Sequence, residues 1–406
     1  MKNNSSGLTN WVGKVHLWLG LTSGLVVFVI AIAGCLYSFQ AEITNLTQPF
    51  RFVEQQAKAI LPPSVLKGIA EEQCPNKKVH AVLYTGKEKA AQVIFFNFEP
   101  DYYYQIVFLD PYTGDILKVK DMQSDFFKFI LDGHFYLWLP PAIGQPVVAT
   151  ATLVFVVMMI SGLMLWWPRK KGSAKQRFTI KWNARWRRKN YDLHNVLGFY
   201  ATWIAIILAV TGLVWGFQWF AASLYTVAGG EKSLVYQEPV SDTTRTLSGD
   251  RPAIDRVWDF MRKEYPNTGW IEVHIPELNS LAIAANANPD ADTYWKTDYR
   301  YFDQHTLREL AVDHIYGRFD QAATADKLIR MNYDIHTGGI LGFPGKLLVF
   351  FVSLIVASLP VSGVMIWLGR RNKSKAGKKI SAAGFTGNFK TPSLKDKETI
   401  TANSEV

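Results

Sequence analysis

Cysteine is nearly absent from this 406-residue chain. Cys35 falls within an apolar run and Cys74 in a mixed segment, so no disulfide framework and no thiolate metal site can be built. Charge is sparse as well, at 19% of residues, against about 25% in an ordinary soluble chain. No phosphate-binding loop, no nucleotide-binding glycine motif and no nucleophile with its base can be found. Nucleotide binding and nucleophilic hydrolysis therefore have no support in the sequence.

What the chain has in excess is apolar and aromatic residues, 49% and 14%, concentrated in four runs. These are Leu17–Phe39, Pro146–Trp167, Leu197–Phe220 and Leu347–Leu368. Each is about 20 residues with almost no charge, enough to cross a ~30 Å hydrocarbon core as a helix. Core helices of soluble proteins are shorter and keep a polar face. The chain therefore reads as an integral membrane protein in contact with lipid.

The net charge of +10 is unevenly placed. Residues 168–190 hold ten Lys or Arg and no acid, and the tail after Leu368 opens with Arg370, Arg371, Lys373 and Lys375. Residues 41–143 sum to −2 and residues 221–343 to −6. This is the positive-inside pattern, and it predicts cytoplasmic termini, a cytoplasmic 168–190 loop and two outer segments. The same distribution argues against a nucleic-acid partner. Ile32-Ala33-Gly34-Cys35 has the look of a lipoprotein processing site, but an internal repeat gives Gly34 a structural reason instead.

That repeat relates the two halves of the chain. At an offset of 178, His16 matches His194, Gly20 matches Gly198, Gly34 matches Gly212, and Phe39-Gln40 matches Phe217-Gln218. At an offset of 201, Ser161-Gly162-Leu-Met-Leu-Trp166 matches Ser362-Gly363-Val-Met-Ile-Trp367, and at 202, Asp132-Gly-His134 matches Asp334-Ile-His336. One long period means duplication of a whole unit, here a parallel repeat about the membrane normal. The outer segments repeat as well, Tyr104–Val119 aligning with Asp298–Val312 around Asp110 and Asp303.

Each outer segment reads as a helix followed by strands. Pro62–Cys74 and Pro252–Tyr265 have helical spacing. Val79–Leu83, Ala91–Phe96 and Gln105–Leu109 read as strands, and Asp110-Pro-Tyr-Thr-Gly114 as a turn. The fold class expected is membrane α-helical, four transmembrane helices as a parallel duplicated pair, with two small α+β outer domains. The segments expected are 1–40 (N-terminus and first helix), 41–143 (first outer domain), 144–168 (second helix) and 169–193 (basic loop). They continue with 194–220 (third helix), 221–343 (second outer domain), 344–369 (fourth helix) and 370–406 (a basic, disordered tail).

Four of the eight histidines sit at repeat-related places. His16 and His194 lie at the cytoplasmic starts of the first and third helices, and His134 and His336 precede the second and fourth on the outer side. They form two pairs, one near each membrane face. Ionisable residues at membrane depth are functional candidates, and paired neutral imidazoles on facing helices make a natural bis-histidine haem site. Interfacial anchoring beside Trp11, Trp18 and Trp138 is the plain alternative for one such histidine; four at duplicated positions favour ligation. Gly20, Gly34, Gly162, Gly198, Gly212 and Gly363 would admit close helix packing or a flat macrocycle. Asp132, Asp192 and Asp334, each two residues before a ligand candidate, read as helix N-caps. Lys128 and Arg330 read as interfacial charges that would also suit haem propionates. His80, His274, His305 and His314 have no metal-ligand spacing and read as ordinary outer-domain residues.

His16-Leu-Trp-Leu-Gly20, Phe108-Leu-Asp-Pro-Tyr-Thr-Gly114, Asp192-Leu-His194-Asn-Val-Leu-Gly198, Ile335-His336-Thr-Gly-Gly339 and the two Ser-Gly-x-Met-x-Trp ends resemble the PepSY-associated transmembrane family of bacterial inner membranes. The resemblance covers roughly residues 10–371. It implies PepSY-like periplasmic domains and a di-haem reductase that passes electrons outward to a ferric siderophore or other ferric chelate for iron acquisition. Two b-type haems would then be held by His16 with His194 and by His134 with His336 as axial ligands of the iron. Some relatives carry a fused flavin reductase domain. This chain has only a short basic tail, so its donor is expected to be separate, a flavoprotein or a quinol. Asp303-Gln-His-Thr-Leu departs from the family's Pro and Gly turn and puts a shared ligand function of the two outer domains in doubt. Isolated PepSY domains also resemble peptidase inhibitors, so a membrane-anchored regulator is the alternative from a different class.

Overall fold

Inside a bilayer every backbone N–H and C=O must be paired within the chain, so long apolar runs are helical there. The computed structural model describes residues 5–98, 102–168, 174–246 and 249–384. Among them, four helices are long and apolar enough to cross a membrane. The molecule is a membrane-embedded helical protein with an attached antiparallel sheet.

The first half runs α1 (Ser5–Tyr37), α2 (Gln40–Thr47), α3 (Pro63–Gln73), β1 (Val79–Tyr84), β2 (Ala91–Asn97), β3 (Tyr103–Leu109), β4 (Ile116–Asp121), α4 (Phe126–Tyr136) and α5 (Pro141–Trp166). The second runs α6 (Ala174–Phe178), α7 (Trp186–Gly216), α8 (Gln218–Val227), α9 (Ala253–Glu264), β5 (Trp270–His274), β6 (Ile283–Asn288), β7 (Asp298–Phe302), β8 (Glu309–Leu310), α10 (Thr324–Arg330), α11 (Asn332–Thr337) and α12 (Gly342–Gly384). The spanning helices begin earlier than the apolar runs because polar and basic residues add turns outside the hydrocarbon. α12 continues through the basic tail as far as Gly384, a stretch whose composition reads as disordered. Residues 385–406, and Arg169, Lys170 and Lys171 of the basic loop, lie outside the described residues.

The two outer segments are not separate bodies. Their strands form one eight-stranded sheet in the order β4-β3-β2-β1-β5-β6-β7-β8. β1 and β5 pair antiparallel at the centre, with Val82 opposite Val273. An unpaired strand edge attracts a partner, and here each half covers the other's exposed edge. α3 and α9 pack on one face over a single core that runs beneath both halves, including Leu66, Val82, Phe95, Val107, Met261, Val273 and Ile283. Asp255 of α9 ties the two helices together by accepting from Ser64 N at 2.9 Å and Ser64 Oγ at 2.6 Å.

In the membrane part α1 packs against α5 and α12, and α7 packs against the same two helices. α1 and α7 therefore stand diagonally across a four-helix ring. Val27, Met159, Ala201, Ala205, Ala209, Val352 and Val356 fill its middle. α4 lies on α1 and α5, and α11 on α7 and α12, between the sheet and the ring. The α4–α5 turn holds Leu137 and Trp138 at φ 54° and 57°, a left-handed conformation that costs about 1–2 kcal/mol per residue. The Trp138 indole holds it there, donating to Phe129 O at 2.8 Å and covering Gly133.

Candidate functional site

Each of the four repeat-related imidazoles is fixed in the same way. His16 Nδ1 lies 2.8 Å from Ser161 Oγ of α5, and His194 Nδ1 lies 2.8 Å from Ser362 Oγ of α12. His336 Nδ1 lies 2.8 Å from Thr211 Oγ1 of α7, and His134 Nδ1 lies 2.8 Å from Ile30 O of α1. The hydroxyl protons are already used: Ser161 donates to Met158 O, Ser362 to Ser358 O, and Thr211 to Ile207 O. Such back-bonding to the preceding turn is the habit of helical Ser and Thr. With each hydroxyl proton on its preceding-turn carbonyl, the hydroxyl oxygen is an acceptor, as is the Ile30 carbonyl, and the hydrogen-bond network assigns Nδ1–H as the donor in all four histidines. Among the described residues no group bonds to any of the four Nε2 atoms. The lone pair that binds metals is left available on each.

A glycine seats each ring. A Cβ at Gly34 would lie 3.1 Å from His134 Cε1, and one at Gly162 would lie 3.3 Å from His16 Cε1. The distances are 3.4 Å from Gly212 to His336 and 3.5 Å from Gly363 to His194. Two of the six repeated glycines instead pack helices together, Gly20 against Met158 and Gly198 against Leu359. The two Ser-Gly pairs are therefore working units, in which the serine oxygen accepts from the imidazole N–H and the next residue makes room for the ring.

Depth follows from the helices. Gly34 lies 18 residues after His16, and Gly212 lies 18 after His194, a rise of about 27 Å. The two histidine layers therefore sit near opposite ends of the ring, with the apolar packing between them. In the sheet-side layer the His134 and His336 rings are 6.0 Å apart between centroids and inclined at 69°. That separation would leave room for one metal ion between the two rings, with His134 and His336 holding it. In the other layer His16 and His194 stand on the diagonal helices, within electrostatic reach of each other.

A family model described as the PepSY-associated TM region matches residues 14–370. The chain belongs to this family. No curated protein matches it. The matched stretch of this PepSY-associated protein contains both histidine layers and the whole sheet.

Other residues singled out by the sequence have different tasks. None of the three aspartates is an N-cap. Asp132 is inside α4 and holds Lys128 at 2.6 Å; Asp125 caps that helix. Asp192 is on the second turn of α7 and pairs with Arg188 at 2.8 Å. Asp334 is buried in α11 and accepts from Tyr294 N and Trp295 N. Arg330 is buried between Tyr299 and Phe319 and donates to Thr297 O and Gly317 O, so it is a structural cation. His305 and His314 are bonded to backbone carbonyls. No group of three or more His, Cys, Asp or Glu placed to hold a metal occurs among the described residues. The functional residues that pattern reading passed over are Ser161, Ser362 and Thr211. Their signal was present, since all three precede a repeated glycine.

Proposed function

We propose that this protein is a di-haem oxidoreductase of a bacterial inner membrane, a duplicated unit with both termini cytoplasmic and the sheet periplasmic. Electrons would enter from a separate cytoplasmic-side donor, a flavoprotein or a quinol. They would leave to a ferric siderophore or other ferric chelate on the sheet side, serving iron acquisition. A haem iron held between two imidazoles supplies one-electron redox chemistry. His16 with His194 would hold one b-type haem, and His134 with His336 the other.

The observation that carries this reading is the common state of the four histidines. All four give Nδ1–H to a fixed acceptor and keep Nε2 for a metal, an arrangement that sets ring orientation and ligand basicity. The glycine seats let each ring stand close to its neighbouring helix, and the sheet-side spacing suits two axial bonds to one atom. Anchoring in the headgroup region would need neither the paired layers nor the matched acceptors. The apolar middle of the ring separates the two layers and keeps water from the path between them.

Purified protein from haem-replete cells should show the Soret and α/β bands of low-spin haem. Dithionite-reduced protein should be reoxidised by a ferric trihydroxamate. Colourless protein would overturn this reading and favour a membrane-anchored, PepSY-type regulator.

A further inference from the structure

The sheet face that α3 and α9 leave uncovered carries a cluster at the seam between the halves. Glu272 and His274 project from β5, His80 from β1, and Asn286 from β6. His274 Nε2 lies 3.1 Å from Glu272 Oε2, and the His80 ring stands perpendicular to that of His274 at 4.9 Å between centroids. Glu272 and His274 are 20% and 26% exposed, recessed yet open to a small ligand or water. Asn286 Nδ2 lies 3.1 Å from the same Nε2, and its Oδ1 is buried without a partner. Asn286 Nδ2 also lies 3.3 Å from Glu272 Oε2 and donates there. The carboxylate thus has a donor on either side, and its position puts a proton on His274 Nε2. His274 Nδ1 has no partner among the described residues.

This face looks toward the membrane bundle. Tyr104 of β3 and Tyr294 lie within electrostatic reach of Tyr37 at the end of α1, and Tyr104, Tyr294 and Tyr299 all lie within reach of Glu272. Tyr294 rests on Tyr333 at 5.2 Å, Tyr333 on Trp215 at 6.3 Å, and Trp215 on His336 at 5.2 Å. Ring contacts thus lead from Tyr294, within electrostatic reach of Glu272, to the sheet-side histidine pair.

The charge states agree with the geometry. Burial pushes His274 down, but the Glu272 charge and hydrogen bond outweigh it and hold His274 above 6.5. Burial pushes Glu272 up, and the His274 charge with hydrogen bonds from His274 and Asn286 brings it below the usual carboxylate range. Burial, and then the His274 charge, push His80 down, so His80 is the neutral member. Glu238 and Glu277 face the same two histidines from the neighbouring loops, and Lys78 lies 3.8 Å from Glu277.

We propose that Glu272 and His274, with His80 beside them, form a proton-supplying site that protonates the acidic oxygen donors of a bound ferric chelate as its iron is reduced. This rests on the sheet side being where the ferric chelate is reduced. One electron from the haem that His134 and His336 would hold would convert Fe(III) to Fe(II), and an iron–oxygen bond would break. The freed oxygen takes a proton from His274, leaving neutral imidazole beside ionised Glu272. Solvent then returns the proton, directly or through His80.

The test uses full-length protein reduced with dithionite and freed of excess reductant. It is mixed with a ferric trihydroxamate, whose oxygens take up protons, or with ferricyanide, which takes an electron alone. His274→Asn and Glu272→Gln should each slow reoxidation by the trihydroxamate, His274→Asn by about 10²-fold. Reoxidation by ferricyanide should be unchanged. The wild-type trihydroxamate rate should fall as pH rises through the His274 titration, and the His274→Asn profile should be flat over that range. A readout without turnover is the ¹³C signal of the His274 ring, identified by its loss in His274→Asn. It should titrate above 6.5 and move down in Glu272→Gln. Equal slowing with both acceptors would assign the pair a structural role, and unchanged trihydroxamate rates would likewise overturn the proposal. A wild-type protein without haem bands, or one that the trihydroxamate does not reoxidise, would instead sink the reductase reading itself.

Discussion

An imidazole that binds iron through Nε2 must place its Nδ1 proton elsewhere, and inside an apolar bundle few acceptors exist. Ser161 and Ser362 provide one each, at 2.8 Å. Removing such a partner typically costs 10–100-fold in metal affinity. Ser161→Ala and Ser362→Ala should each weaken haem binding in the layer of His16 and His194 by that order, leaving the other layer intact. Titration of haem into apoprotein, read as two resolved affinities, checks this. Ser161→Thr, which keeps the hydroxyl, should restore most of the affinity. The other layer shows why equivalence by repeat is not identity by atom. Thr211 serves His336, but the matching position in the first half is Ala33, and His134 uses the Ile30 carbonyl instead. The repeat made the histidines and glycines legible as a set. It did not reveal the serines' task, because a helical Ser that bonds only its own preceding turn gives the same letter in a sequence.

Helices bring these groups together by length and by close approach. The 18-residue interval from His16 to Gly34, and from His194 to Gly212, lets one helix carry the histidine of one layer and the ring seat of the other. Gly34 is the tightest seat, 3.1 Å from His134 Cε1. Gly34→Val should displace His134 and reduce haem content from about two per chain to about one. Gly363→Ala, where the Cβ would make ordinary contact at 3.5 Å, should be nearly silent. Pyridine haemochromogen assays on the two variants separate these outcomes. The sequence located the outer helices and strands closely, Pro62–Cys74 standing against α3 at Pro63–Gln73. It misplaced the aspartates because helix starts were drawn where apolar runs begin. α4 and α7 in fact start at Phe126 and Trp186, several residues before Asp132 and Asp192.

At the scale of the whole molecule, one sheet spans both halves. The sequence separated two outer domains because strand patterning shows which face of a strand is buried and nothing about which edge it pairs with. The β1–β5 seam and its common core follow from closing two open edges. Glu272 and His274 project from β5 at that seam, so the sheet's stability should depend on pH. His274, raised above 6.5, contributes stability fully below that value and loses it as pH rises through its folded value. Glu272, lowered, contributes above the usual carboxylate range and loses it only as pH falls through its folded value. Thermal unfolding followed by the far-ultraviolet signal should therefore show a melting temperature that declines from mildly acidic toward alkaline pH. Glu272→Gln should flatten the decline; an unaltered slope in that variant would remove the pair from the explanation.

On the proposed di-haem reading, two histidine layers imply that each histidine would share its haem with one partner alone. The most direct test is haem stoichiometry in the four single variants His16→Ala, His194→Ala, His134→Ala and His336→Ala. Each should lose roughly one of two haems. His16→Ala and His194→Ala should lose the same spectral component, and His134→Ala and His336→Ala the other. Full haem content in any variant, or loss of one common component from His16→Ala and His134→Ala, would contradict the two-layer arrangement.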